Sequence, residues 1–266
     1  MRARKGQVMT GRLSLQQLDQ YERNGIVFPV NVFTANDVSI FRSELEAIAK
    51  NCGEGSLKRF DGLHLFFDWT YRLITSDALL NVVEGLLGGD ILIDGTLVFY
   101  KPPQDSSYVS WHQDSVYSGW HLTPSTSAWI AITASNRVNG CMRVIPGSHK
   151  QGLLVHDNVR DDPNLLNIRG ERIKMAVDES KAVDVILQPG EMSLHQSNLV
   201  HGSNPNNSDE PRIGFIVRFV TNRTTTRDRP LLRVRGAADC SHLILAKPPE
   251  MDQQTALSAW REFSRS

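Results

Sequence analysis

The spacing of apolar residues changes near residue 90, which divides the chain into a helical first third and a strand-rich remainder. Before that point Val38, Leu45 and Ile48 lie on one helical stripe, and Thr34 and Asp37 have the spacing of a capping box at its start. The pattern predicts helices over 13–24, 34–49 and 77–87, a short strand over 26–30, and a loop over 53–61.

Beyond residue 90 the apolar residues form short runs separated by turn residues, as in antiparallel sheets. A polar stretch over 152–181 interrupts these runs and is long enough to be a binding loop or a lid. Strands are predicted over 91–93, 96–100, 108–117, 127–132, 141–145, 182–187, 191–194, 200–201 and 213–220, and a last helix over 253–263. Helices followed by many short strands predict a mainly β fold, a jelly roll with flanking helices packed outside it.

We interpret residues 1–266 as one domain, with helices over about 13–90, a jelly-roll core over about 91–222 and a tail over 223–266. Lys plus Arg and Asp plus Glu balance at 29 each, so no net field favours nucleic acid or a membrane as partner. The apolar runs are too short for a spanning helix, and the basic start lacks the apolar run of a signal peptide. The three cysteines are odd in number and widely separated, which predicts free thiols and a cytoplasmic protein.

The segment Ser110–Ser115 carries the most informative chemistry. Residues two apart on a strand point to the same face, so His112 and Asp114 would present an imidazole and a carboxylate to one point. With a second histidine they would form a 2-His-1-carboxylate site, which holds Fe(II) and leaves coordination positions open. Alone the triplet is weak evidence, because roughly one His-x-acid triplet is expected by chance in this composition. A surface strand with a solvated Asp is the more frequent explanation.

Two histidines, His195 and His201, compete for the third position, and for either one taken alone a structural role is a better explanation than metal binding. Arg212 follows His201 by 11 residues (212 − 201) and opens an apolar strand. Facing inward it would need an anion, because an unpaired buried guanidinium costs several kcal/mol. A dicarboxylate cosubstrate would supply one through a bidentate pair. Arg218, on the same strand face, could meet a second anion, although a surface salt bridge explains it equally well.

The order His112-x-Asp114, His201, Arg212 resembles the Fe(II)/2-oxoglutarate dioxygenases of the phytanoyl-CoA dioxygenase family. The similarity covers about residues 100–220 and implies a double-stranded β-helix core, a cupin-like jelly roll. Five segments carry it in the same order: Tyr100–Pro103, Trp111–Asp114, Asn139–His149, Pro189–His195 and His201–Asn206.

The resemblance implies iron on His112, Asp114 and His201, since the family's distal histidine precedes Gly-Ser and lies about eleven residues before the arginine. It also implies that 2-oxoglutarate and O2 are cosubstrates. Halogenases similar to this family have Gly or Ala in place of the aspartate, so an Asp implies oxygenation. Four residues would bind 2-oxoglutarate: Arg212, Ser203, Leu97 and Trp129.

The entrance of the substrate pocket is predicted beside the strand that carries His112 and Asp114. For each residue assigned to this entrance, a surface or core role is an equally good explanation. Gln113 and Trp111 point to the opposite strand face, where packing is their expected role. The candidate substrate-binding residues are Tyr117, Trp120, His121, Lys101 and Arg218.

Taken together, the sequence predicts a hydroxylase of a small metabolite or natural-product intermediate that releases succinate and CO2. Desaturation, epimerisation or cyclisation would follow from the same iron chemistry, and no feature of the chain separates them from hydroxylation. A jelly-roll binding module without turnover is the alternative from another class. Four intact site residues argue against that alternative.

Overall fold

The computed structural model of the protein describes residues 12–51, 58–118, 124–158, 163–166, 171–221, 231–237, 244–245 and 251–265. The helices are α1 (Leu15–Asn24), α2 (Ala35–Asn51), α3 (Asp68–Ile74), α4 (Asp77–Leu87), α5 (Ser115–Ser118) and α6 (Gln253–Arg265). The strands are β1 (Ile26–Asn31), β2 (Arg59–Asp61), β3 (Ile91–Lys101), β4 (Val109–His112), β5 (Ser125–Ala131), β6 (Met142–Val144), β7 (His156–Asn158), β8 (Glu171–Ile173), β9 (Val183–Asp184), β10 (Glu191–Gln196), β11 (His201–Ser203), β12 (Arg212–Val220), β13 (Leu231–Arg235) and β14 (Ile244–Leu245).

Two facing sheets form the jelly roll that the sequence predicts. The larger sheet has eight strands, in the order β1-β10-β5-β12-β3-β13-β14, with β2 also paired to β3. The smaller sheet has the order β4-β11-β6-β9, and β7 and β8 form a separate pair. The pairs are antiparallel except for β13 with β14. No helix in the described ranges is both long and apolar enough to cross a membrane.

Alternation along β12 separates the packing face of the larger sheet from its functional face. Phe215 and Val217 belong to the core between this sheet and helices α2, α3, α4 and α6. Ile216 points the other way, into a second apolar cluster shared with Val109 and Met142 of the smaller sheet. Because side chains alternate along a strand, Arg212 also faces the space between the sheets.

The helix predictions are confirmed for α1, α2, α4 and α6, and α4 has the predicted bounds. The capping box at α2 is present: the Thr34 amide donates to Asp37 at 2.9 Å, and the Asp37 amide donates to Thr34 Oγ1 at 3.2 Å. Leu15, the first residue of α1, is 85% exposed. Helix α3 was not predicted.

The strand boundaries differ from the predictions where pairing between distant segments decides them. The segments 91–93 and 96–100 form one strand, β3, with a register irregularity opposite Arg218 and Phe219. The end of the predicted loop 53–61 becomes β2, because it pairs with β3. The polar stretch 152–181 contains β7 and β8. Strands β1, β2 and β13 extend the larger sheet beyond the range 91–222.

Candidate metal and cosubstrate site

His112, Asp114 and His201 meet in one buried cluster between the two sheets. One ligand atom from each residue lies within 4.8 Å of the others. His112 and His201 are directly opposed partners on β4 and β11, and their ring centroids are 4.1 Å apart. Two imidazoles and one carboxylate in this arrangement match the donor set of a ferrous 2-His-1-carboxylate site.

Asp114 reaches the cluster by a route that its spacing from His112 does not predict. Strand β4 ends at His112, and Asp114 lies in the turn directly before α5. The prediction that both residues share one strand face is therefore wrong. The turn nevertheless brings Oδ1 of Asp114 to 3.8 Å from Nε2 of His112. A change of chain direction, and not strand alternation, makes the two side chains converge.

Backbone carbonyls fix the tautomers of both histidines. Nδ1 of His112 donates to the carbonyl oxygen of Ser110 at 2.8 Å, and Nδ1 of His201 donates to that of Leu199 at 2.9 Å. A carbonyl oxygen can only accept, so each Nε2 keeps its lone pair for a metal. Burial lowers the pKa of His112 to about 4, and burial, followed by the neighbouring histidines, holds the pKa of His201 well below its ordinary value. Both rings are therefore neutral at pH 7, as metal binding requires.

Asp114 is ionised although it is buried. Burial opposes ionisation, but the Arg218 guanidinium holds the pKa of this carboxyl well below its ordinary value. Ser127 donates to Oδ2 at 2.6 Å, and Nη2 of Arg218 lies 3.5 Å from Oδ1. The carboxylate is thus held in place as an anionic ligand.

His195 lies beside the cluster without joining it. Its Nε2 is 3.5 Å from Oδ2 of Asp114, and its ring centroid is 4.8 Å from that of His201. The approach to Asp114 lacks hydrogen-bond geometry, and neither ring nitrogen has a hydrogen-bond partner among the residues described. The group of possible metal ligands contains His201 and not His195, in agreement with the resemblance.

We expect His195→Ala to retain iron and the matched variant His201→Ala to lose it. Of these two histidines, only His201 belongs to the group of possible ligands with His112 and Asp114. The measurement is the iron content of each protein after anaerobic loading and desalting. Iron loss in His195→Ala together with retention in His201→Ala would reverse the assignment.

Arg212 is a buried cation that lines the same cavity as the metal cluster. Its side chain is 2% exposed, and burial lowers its pKa to about 10, so it remains charged at pH 7. Nη2 donates to the carbonyl oxygen of Gly140 at 2.9 Å and to Oγ of Ser203 at 3.3 Å. Within the described ranges Nε has no hydrogen-bond partner, and no carboxylate pairs with the guanidinium. A dicarboxylate ligand fits this site, because it would supply the missing counter-ion.

Leu97 and Trp129 contribute apolar walls to the cavity. The guanidinium carbon of Arg212 lies 5.5 Å from the centroid of the Trp129 ring. Across from the indole, Gly214 leaves space that no other residue would, since a Cβ there would lie 2.1 Å from Cζ2 of Trp129. The spacing Arg-Ile-Gly on β12 therefore allows the indole to lie beside the guanidinium.

Gln113 is buried, but its role is hydrogen bonding and not the packing that strand alternation predicts. Its Nε2 donates to the carbonyl oxygens of Gly152 at 2.8 Å and Asn198 at 2.6 Å. Its Oε1 accepts from the Leu154 amide at 2.8 Å. Gln113 therefore ties the turn between two metal ligands to the segment that begins the stretch 152–181. Trp111 is only half-buried, so it does not pack in the core. Its Nε1 donates to Oε1 of Glu179 at 3.2 Å.

The predicted entrance of the substrate pocket is only partly within the described residues. Arg218 lines the cavity beside Asp114, which keeps it a candidate for substrate contact. Lys101 is fully buried, its Nζ donates to Ser203, and it is not among the described residues that line the cavity. Trp120, His121 and the side chain of Tyr117 lie outside the described residues.

Three residues of the site were not singled out from the sequence. Ser127 lies two residues before Trp129 on β5, so strand parity could have placed it in the cavity. Gly140, at φ +71°, approaches so closely that a Cβ would lie 2.2 Å from the Asn204 carbonyl oxygen, and the Asn-Gly dipeptide is its signal. Gly214 has no signal of its own, because its role depends on the indole packed across from it.

Known proteins share both the sequence pattern and the fold. A family model described as phytanoyl-CoA dioxygenase matches residues 21–214, a range that includes the metal cluster and Arg212. A probable alpha-ketoglutarate-dependent hypophosphite dioxygenase of Stutzerimonas stutzeri is 29% identical, and the aligned region covers 61% of this chain and 57% of that protein. The ectoine dioxygenase of Halomonas elongata is 25% identical over 84% of this chain and 74% of its own length. The solved structure of the apo non-heme monooxygenase ThoJ is 31% identical, with a TM-score of 0.77 over 93% of this chain and 94% of that chain.

Proposed function

The chain belongs to the phytanoyl-CoA dioxygenase family and is an Fe(II)/2-oxoglutarate-dependent dioxygenase, and we propose that it hydroxylates a C–H bond of a small metabolite or biosynthetic intermediate. One observation carries the proposal. A single cavity is lined by the His112, Asp114 and His201 cluster and by Arg212, a buried cation that lacks an anionic partner among the described residues.

We assign the iron to Nε2 of His112, Nε2 of His201 and a carboxylate oxygen of Asp114. The far carboxylate of 2-oxoglutarate is assigned to Arg212, with Ser203 assisting. When bound, iron with 2-oxoglutarate and O2 supplies the oxidant, at the expense of decarboxylation of the keto acid to succinate and CO2.

The protein's own contribution is to hold and orient these groups. The carbonyls of Ser110 and Leu199 fix the tautomer and orientation of both imidazoles, burial keeps the two rings neutral, and Ser127 holds the Asp114 carboxylate. The guanidinium of Arg212 lies beside the Trp129 ring, and the 2% exposure of the Arg212 side chain keeps bulk water from it. Exclusion of water strengthens the charged contact on which cosubstrate binding depends.

Asp114 supports hydroxylation over halogenation. A halogenase of this type needs a coordination position for chloride in place of the carboxylate, whereas here a buried, ionised aspartate occupies that position. Product mass distinguishes the outcomes, since hydroxylation adds one oxygen atom, chlorination replaces hydrogen with chlorine and desaturation removes two hydrogen atoms.

Relatives whose names specify ectoine and hypophosphite as substrates support a small molecule for this chain as well. The balance of positive and negative residues also agrees with such a substrate. The single domain and the cytoplasmic location stay predictions; the buried free thiol of Cys141 agrees with a reducing compartment.

A screen of candidate metabolites that follows succinate release tests the proposal. Succinate formation is expected to require Fe(II), to rise with the true substrate, and to disappear in His112→Ala. Substrate-dependent succinate release that continues unchanged in His112→Ala would contradict the assigned metal site.

A further inference from the structure

Lys101 lies behind the proposed cosubstrate pocket and has no part in the mechanism above. It is the ladder partner of Arg212 on the neighbouring strand, and its side chain is fully buried. Nζ donates to Oγ of Ser203 at 2.8 Å and to the carbonyl oxygen of Asn204 at 2.5 Å. We propose that Lys101 is a positioning residue for 2-oxoglutarate: it fixes the Ser203 hydroxyl as a hydrogen-bond donor toward the far carboxylate. This inference rests on the proposed function.

The hydrogen-bond pattern of Ser203 gives the reason. Its Oγ accepts from Nζ of Lys101 at 2.8 Å and from Nη2 of Arg212 at 3.3 Å, which uses both lone pairs of the hydroxyl oxygen. The hydroxyl hydrogen must therefore point away from both donors. Among the described residues it has no acceptor, and Ser203 lines the cavity. An oxygen atom of a ligand in the cavity is the acceptor that this geometry requires.

Lys101 acts through geometry and not through charge. Burial, followed by the nearby Arg212, lowers the pKa of Lys101 to about 5, while Asp105 and Cys141 act in the opposite direction. At pH 7 the side chain is therefore a neutral amine, and both of its hydrogens are used by Ser203 Oγ and the Asn204 carbonyl oxygen, so its lone pair points away from the Ser203 hydroxyl. Arg212 supplies the positive charge for the carboxylate, and Lys101 supplies the orientation of the hydroxyl between them.

A simpler role would be structural, with Lys101 only joining β3 to the turn after β11. The two roles differ in which ligands they affect. A structural role changes the whole pocket, whereas orientation of Ser203 concerns only a ligand with a far carboxylate. 2-Oxopentanoate is the matched control ligand, because it has the same chain and keto acid group with a methyl in place of that carboxylate.

The experiment measures anaerobic binding of both keto acids to the Fe(II)-loaded enzyme by calorimetry, for wild type, Lys101→Met, Ser203→Ala and the double variant. We expect Lys101→Met to weaken 2-oxoglutarate binding roughly three- to tenfold, the effect of one net hydrogen bond. Binding of 2-oxopentanoate should change less than about twofold. In the Ser203→Ala background, Lys101→Met should have little further effect, because the two residues act through one hydroxyl.

The possible outcomes separate this inference from the function on which it rests. Equal weakening of both keto acids, or full additivity in the double variant, would overturn the role of Lys101. A wild-type enzyme with no preference for 2-oxoglutarate would instead contradict the proposed function. Melting temperatures accompany each variant, and if Lys101→Met does not fold, Lys101→Gln takes its place. Its shorter amide donor should leave 2-oxoglutarate affinity between those of wild type and Ser203→Ala, and unchanged 2-oxoglutarate affinity in a folded variant would overturn the inference.

Discussion

Asp114→Ala is expected to reduce the rate of oxygenation more than about a hundredfold. Removing a residue that only hydrogen-bonds to a metal ligand already costs up to about a hundredfold, and Asp114 is assigned as a ligand itself. Asp114 is the anionic member of the cluster, and its carboxylate is held by Ser127 and Arg218. Its removal leaves two neutral imidazoles and opens a coordination position that chloride can occupy. The measurement is product formation by mass spectrometry with and without chloride, together with iron content.

Ser127→Ala is the matched control for this prediction. It keeps the carboxylate and removes only the 2.6 Å hydrogen bond to Oδ2. At saturating Fe(II) we expect it to bind iron, with a loss of about ten- to a hundredfold in metal affinity or activity. Full oxygenation by Asp114→Ala would exclude Asp114 as a ligand.

Arg212→Ala is expected to raise the Kd for 2-oxoglutarate by roughly a hundred- to a few thousandfold. The estimate is the roughly 3–5 kcal/mol lost when one partner of a buried ion pair is removed. Arg212 is 2% exposed, and its Nε has no hydrogen-bond partner among the described residues, so the carboxylate would be the main partner of this cation. Anaerobic calorimetry on the Fe(II)-loaded variant measures the effect.

Arg212→Lys and the control ligand 2-oxopentanoate make the result specific. The lysine keeps the charge but loses the two-pronged geometry, so its affinity should lie between those of wild type and Arg212→Ala. 2-Oxopentanoate should bind wild type and Arg212→Ala with similar affinity. An unchanged Kd for 2-oxoglutarate in Arg212→Ala would mean that another residue holds the far carboxylate.

Local patterns predicted much of the fold and of the candidate site. The α4 helix was predictable because its apolar spacing and the Gly88-Gly89 pair are both local signals. His201 and Arg212 were brought together by the resemblance, and strand alternation on β12 accounts for the inward direction of Arg212. The α4 helix and the inward direction of Arg212 thus follow from short-range rules, whereas the choice of His201 rests on the family resemblance.

Other features depend on contacts between distant segments, which no local pattern contains. Strand β2 pairs with β3, and Lys101 is buried on β3 across from Arg212 of β12. Gln113 was assigned to packing by strand parity, but β4 ends at the residue before it, so parity no longer applies. The turn that carries Asp114 was missed for the same reason. The three candidate ligands thus come together in the structure, although the local geometry predicted for them was partly wrong.

Anaerobic titration of the protein with Fe(II) and 2-oxoglutarate, followed in the visible spectrum, tests the central claim that His112, Asp114 and His201 hold one ferrous ion beside an anchored keto acid. We predict a weak metal-to-ligand charge-transfer band that needs both additions, saturates at one iron per chain and is absent in His112→Ala. A spectrum that stays unchanged when both are present at saturating concentration would contradict the account.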